Sequence, residues 1–369
     1  MRLMKKILQL IIVLCSQAIY SQTQLEVETF LKGAQVMDVT GDGTNLWIAT
    51  NGNGIFEYIP KSNSWMQYST SFENLQNDFF YCVAANKDYV WAGSTDGLFI
   101  FDKKTNSWTK RKFGLGGQLA NWIRSLAFDK YENVLWIGRF KYLTKFDLKE
   151  KKYTDYDLTL KGNEKTNTIK SIHVDGDSLV WFGTEAGLHK YDKSKDLNSK
   201  NALTFYDTKY NYFNGDGELV SIASILSERN FLWIGLDEFV TPERPEYNVG
   251  GLFRFNRKND WFKFDNTSGL SANGIYDLER TGNYIWASLY QFGKDTKENF
   301  GRGIVLINRL TNQVLQITDS MIPKTVYSIY FDGQSLWLGT DSGLIKINFL
   351  NKLARWIEKN KNAKSGAQK

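Results

Sequence analysis

The 369-residue chain is 42% hydrophobic and 15% aromatic with four prolines, which supports a large core and excludes a disordered chain. Its formal charge of +6 sits at the ends: Arg2, Lys5 and Lys6 open the chain, and Lys352–Lys369 holds six basic residues against Glu358. The body between them is slightly acidic and carries no basic stripe for a nucleic acid.

Taken in chain order, the first element is a leader. Arg2, Lys5 and Lys6 precede the apolar run Ile7–Ala18, too short to span a bilayer, and small residues end at Ser21. Residues 1–21 are therefore expected to be an export signal cleaved before Gln22, with a retained anchor as the alternative. Leu14 ahead of Cys15 argues against lipidation. Loss of the leader leaves Cys82 alone, so no intrachain disulfide is expected and packing must hold the fold. No stable membrane span is expected in the mature chain.

Next, Gln24–Phe30 alternates apolar with polar residues. It reads as a strand that seals the last repeat beside Leu353–Ile357. Seven repeats follow, each marked by an apolar-Trp pair at Trp47, Trp91, Trp136, Trp181, Trp233, Trp286 and Trp337, 44 to 53 residues apart. A β-rich run precedes the Trp, as in Ile123–Phe128, Ile169–Val174, Ile275–Leu278 and Val326–Phe331. A Gly stands two residues after five of the seven Trp, with Ala49 and Ser288 in the others. A third run then starts, as in Gly97–Asp102 and Gly187–Asp192. A fourth follows a polar turn, as in Trp65–Tyr68 and Trp261–Phe264. Four short strands per repeat at this spacing predict an all-β, seven-bladed β-propeller of four-stranded antiparallel blades over residues 22–358. Residues 359–369 form a basic tail. Single blades cannot bury both faces, whereas a ring of them covers every face. The Trp is expected to wedge between blades, where its burial is worth on the order of 4–6 kcal/mol.

The pattern Leu-Trp-Ile-Gly, then Gly-Leu, then Tyr/Phe-Asp/Asn resembles the two-component regulator propeller repeat family. Gly269–Ile275 fits its inter-blade junction. The resemblance runs from about Ala34 to Trp356 and implies a sensor-domain-like propeller. Such propellers often serve membrane histidine kinases, which implies a membrane signalling partner. Kinase motifs are absent from this chain, so it reads as a free-standing exported relative, periplasmic or extracellular.

Candidate chemistry is sparse. His173 and His189 lie on different strands of blade four, and no His cluster supports a triad, a zinc site or a lyase of the virginiamycin B type. No catalytic residue, metal or cofactor is expected. Asp237, Glu238, Glu243 and Glu246 could run glycoside hydrolysis but read more simply as a solvated loop. Asp38–Gly43 reads as a hairpin rather than a calcium loop, and Asn214–Glu218 is the better cation candidate.

Position is more informative. Strand alternation puts the loops between blades on one face with the loops that follow each Trp strand. Asn77, Asn121, Asn167 and Asn273 share one place in those junctions. Two loops on that face, Leu236–Gly250 and Tyr290–Arg302, are long and supply Phe239, Arg244, Tyr247, Tyr290, Phe292 and Arg302. Aromatic and arginine side chains suit a glycan, peptide or protein ligand. The function expected is non-catalytic ligand binding or sensing. The alternatives are a propeller-scaffold lyase or glycosidase acting on a polysaccharide, or a secretion-associated scaffold.

Overall fold

In a computed structural model that describes residues 26–72, 75–114, 117–293 and 300–348, the repeats become seven four-stranded antiparallel sheets. The chain lays down each of the first six blades from the inside outwards, as in Val36–Gly41, Leu46–Thr50, Ile55–Ile59 and Ser64–Tyr68 of blade one. The seven inner strands line a central channel. The expected leader, the run 353–357 and the basic tail lie outside the described residues.

Blade seven is the exception. Its first three strands are Val326–Phe331, Ser335–Thr340 and Gly343–Asn348, and its outer strand is Glu26–Phe30 from the start of the chain. The register runs from Glu26 opposite Asn348 to Phe30 opposite Leu344. The sealing strand therefore pairs with Gly343–Asn348, the third strand. Phe30 packs on Trp337 of its own blade at 5.8 Å and also reaches the next blade, with its ring 5.5 Å from Trp65. Closure removes the exposed sheet edge that an open ring would leave.

All seven repeat Trp are 0–1% exposed. Each packs into the cluster built by the following blade. Trp47 lies with Val83, Val90 and Phe99 of blade two, Trp181 with Ile222, Ile234 and Phe253 of blade five, and Trp337 with Val36 and Ile48 of blade one. The Gly two residues on makes room for the same neighbour. A Cβ on Gly183 would stand 2.6 Å from Ile222 Cγ2, and one on Gly138 2.8 Å from Ile169 Cγ2.

Six inner strands carry a β-bulge at the same place, between Val36 and Asp38, Ile123 and Ser125, Ile169 and Ser171, Ile222 and Ser224, Ile275 and Asp277, and Val326 and Ser328. A bulge takes one residue out of the ladder and re-aims its side chain. One of the two long loops differs from the sequence reading, while residues 294–299 of the other, Tyr290–Arg302, lie outside the described residues. In blade five the strands extend to Phe239 and restart at Asn248, so much of Leu236–Gly250 is a β-hairpin arm.

Replacing Trp181 or Trp337 with Ala should cost about 3–5 kcal/mol, as for other buried large-to-small changes. Gly183→Ala should also destabilise, by about 1–3 kcal/mol, because the added methyl overpacks the blade junction. Urea unfolding of the three variants measures this, and shifts below about 1 kcal/mol for the Trp variants would remove them as inter-blade wedges.

Candidate functional site

The bulges determine what faces the channel mouth. Met37, Arg124, Lys170, Ala223, Tyr276 and Tyr327 are the extra residues of the six bulges, and Tyr81 stands at the corresponding place in blade two. All seven line a channel of about 670 Å3. This ring is polarised: blades six, seven and two contribute tyrosines, while blades three and four contribute cations. Tyr276 packs edge-on to Tyr327 at 5.4 Å and stacks on Tyr290 at 4.4 Å. Arg124 pairs with Glu185 at 2.6 Å.

Beside the ring, between blades four, five and six, lies a pocket of about 290 Å3. Phe239, Tyr247, Tyr290 and Phe292 all line it, so the structure brings these four predicted residues together. The Phe239 and Phe292 rings lie 4.4 Å apart, and Tyr247 meets Phe239 edge-on at 5.8 Å. Phe239 is the exposed member, at 44%. Below this aromatic wall is a polar network. Lys170 contacts Asp237 and reaches Ser221 Oγ at 3.0 Å, Tyr290 donates its hydroxyl to Asp237 at 3.0 Å, and Lys165 donates to Tyr247 Oη at 2.8 Å. Burial, with Arg124 near, pushes Lys170 down to about 7, against the pull of the Glu185 carboxylate. Burial also raises Glu238, whose carboxylate accepts the Phe292 N–H at 3.0 Å.

The other predicted residues lie elsewhere. Arg244 is bound to Glu218 and stands over the Tyr247 ring at 4.9 Å, on the outer side of the arm. Arg302 donates to Gln291 Oε1 at 3.2 Å and lines a separate cavity of about 640 Å3 at the edge of blade six. Asn121, Asn167 and Asn273 accept backbone N–H groups from Phe113, Leu158 and Asn266, at 2.6, 2.9 and 3.0 Å. Asn77 donates to Phe79 O at 2.8 Å. These four hydrogen-bond within the blade junctions and line neither the pocket nor the channel.

His189 is fully buried, whereas His173 is half-buried and lines the channel. His173 Nε2 accepts the Ser227 N–H at 3.2 Å, and His189 contacts Thr166 O at 3.0 Å. Burial pushes both imidazoles down to about 4, so both are neutral at pH 7. Among the described residues, no group of three metal-type side chains could hold an ion. In Asn214–Glu218, Asp216 pairs with Lys263 at 2.8 Å and Glu218 with Arg244. Asp42 caps its own turn through Thr44 and Asn45 and accepts Trp47 Nε1 at 2.9 Å.

Sequence reading missed the bulge ring. The available signal was the residue between the aliphatic that starts each inner strand and the Ser or Asp after it. It also missed the acids deeper in the channel. Burial pushes Asp38 up to about 7, Asp277 to about 6 and Glu279 to about 7, with Asp277 repelling the other two. A carboxyl with a raised folded pKa binds its proton more tightly when folded. Its contribution is present below the unfolded value, near 4, and is lost as pH rises through 6–7. Taken alone these acids lower the melting temperature from pH 5 to pH 7, against the opposite pull of His173, His189 and Lys170, whose values burial depresses, so an Asp277→Asn/Glu279→Gln double variant should lose less stability over this range than the wild type. Scanning calorimetry across this range checks it; an equal slope in the variant would exclude these groups.

No family model matches the chain. Histidine kinase P4 of Formosa agariphila is 29% identical over 191 residues, which is 48% of this chain and 12% of the kinase. The extracellular domain of a hybrid two-component system from B. thetaiotaomicron superposes with a TM-score of 0.64 at 21% identity, over 88% of this chain and 40% of that one. Virginiamycin B lyase from Staphylococcus aureus gives the same TM-score at 13% identity, over 88% of this chain and 99% of the lyase. The chain thus spans less than half the length of the two-component proteins it resembles. The likeness to a two-component propeller read from the repeats is matched by these neighbours, and what they share with the chain is the fold.

Proposed function

We propose that the chain is an exported, non-catalytic propeller that binds or senses a glycan, peptide or protein partner at the channel mouth beside blades five and six. One observation carries this reading. Phe239, Tyr247 and Phe292 form an aromatic wall over hydrogen-bonding groups from three blades, in a pocket that blade closure does not require. An aromatic surface with a few convergent polar groups is the usual make-up of a ligand site. The resemblance to two-component propellers adds a signalling partner at the membrane to the proposal. Among the described residues, no helix is long and apolar enough to cross a membrane.

The lyase neighbour raises the alternative of catalysis on the same scaffold. The channel acids Asp38, Asp277 and Glu279 are the feature that would serve it, but each already accepts a backbone N–H of the next blade. Both histidines are neutral and held by Ser227 and Thr166, and Asp237 is held by Lys170, Ser221 and Tyr290.

A thermal-shift screen of glycans and peptides would identify a ligand, since a ligand that binds only the folded state raises the melting temperature. The Phe239→Ala/Phe292→Ala variant should then bind it about 10-fold or more weakly, as for the loss of aromatic anchors. Unchanged affinity in a normally folded variant would place the site elsewhere.

A further inference from the structure

The insertion that joins blades four and five helps build a further cavity, of about 520 Å3, outside the channel mouth. Phe205, Tyr210 and Tyr212 supply its aromatic lining, and Leu160 and Leu219 its aliphatic lining.

Its backbone is unusual. Tyr210, Asn211, Phe213 and Asn214 have φ of 58°, 63°, 51° and 57°. L residues with large side chains avoid this left-handed region because Cβ crowds the carbonyl oxygen. For Phe213 the compensation is visible. It is fully buried, 4.4 Å from the Trp261 ring and edge-on to Phe253 at 5.4 Å. Tyr210 has no such compensation. It is 87% exposed, and the ring nearest to it is Tyr212, at 6.3 Å. A strained backbone that holds an exposed aromatic over a cavity is pre-organised for a contact that the chain itself does not make.

Charge narrows the ligand. Asp216 pairs with Lys263; of the two acids that line the cavity, Glu218 pairs with Arg244, and Asp207 accepts the Lys209 N–H at 2.9 Å and faces its Nζ. The rim cations are loose. Lys209 Nζ stands 3.9 Å from Asp207 with its side chain 71% exposed, and exposed Lys161 makes no ion pair among the described residues. We propose that this cavity is a second binding site that takes an aromatic ring bearing a carboxylate, either as a free aryl acid or as the C-terminal aromatic residue of a peptide. The ring packs with Phe205, Tyr210 and Tyr212, and the carboxylate meets Lys161 and Lys209. This goes beyond the mouth site and does not depend on it.

Calorimetric titration of the whole protein tests it with N-acetyl-phenylalanine, its C-terminal amide and a tetrapeptide ending in phenylalanine. The acid should bind saturably and the amide at least about 10-fold more weakly. The tetrapeptide binding tighter than the free acid assigns a peptide C-terminus, and equal binding assigns a small aryl acid. Lys161→Glu and Tyr210→Gly should each lose about 10-fold. Glycine adopts the left-handed backbone freely, so Tyr210→Gly should melt no lower than the wild type while losing the ligand. Phe239→Ala/Phe292→Ala should bind the acid normally, which separates this site from the mouth. No saturable binding, an amide that binds as well as the acid, or undiminished binding in folded Lys161→Glu and Tyr210→Gly would overturn the proposal.

Discussion

The contact on which the rest of the architecture depends is the tryptophan that each blade places in the next. A four-stranded sheet has two apolar faces and cannot bury either alone. Because Trp47 meets blade two, Trp181 blade five and Trp337 blade one, every sheet is covered by its neighbour and the ring has one sense of rotation. The Gly beside the Trp and the Ile or Val that starts the next inner strand complete the joint. Such a ring must close, since the last Trp has nothing to enter unless blade one stands beside blade seven. Phe30, arriving from the chain start, packs on Trp337 and fastens that last joint.

Polar groups follow the same sense of rotation on the opposite face. A basic residue in an outer turn of one blade reaches back to an acid in the first turn of the blade before it. Lys103 meets Asp42, Lys193 meets Asp129 at 2.7 Å, Arg257 meets Asp175 at 2.5 Å and Arg309 meets Glu228 at 3.3 Å. Asp42 and Asp175 also accept the indole N–H of their own repeat Trp. These charges are partly buried and already partnered, so that face has little left with which to recognise a ligand. The face with the arm of blade five and the insertion between blades four and five is where the chain adds residues that closure does not use.

The fold was legible in the sequence because its determinants recur. Seven Trp, the Gly after them and the turns between runs reveal the blades, and the period reveals their number. The sealing strand was legible as a strand in Gln24–Phe30, but its partner was not: a tail that follows the last blade and the third strand of that blade are both apolar. The site was half legible. Loop length pointed to Phe239, Tyr247, Tyr290 and Phe292, which line one pocket. It could not separate them from Arg244 and Arg302, whose partners Glu218 and Gln291 are fixed only by the three-dimensional path of the arms. The bulge ring was harder to read because a bulge is a property of pairing: the aliphatic and the Ser or Asp around it recur, but the residue it expels differs from blade to blade.

That difference has a physical origin. An inner strand is bonded on one side only, so its remaining N–H groups face the channel and need acceptors. Side chains of the preceding blade supply several of them. Asp38 accepts from Val83, Asp277 from Ile329 and Glu279 from Phe331, and His173 accepts from Ser227. The channel wall therefore has to be polar at depth, whatever the protein binds. The bulged residues above it are out of the ladder and carry no such obligation, so Arg124, Lys170 and the tyrosines can vary between blades without loosening the ring. The proposed recognition site falls where the scaffold is least constrained, next to contacts that keep it rigid.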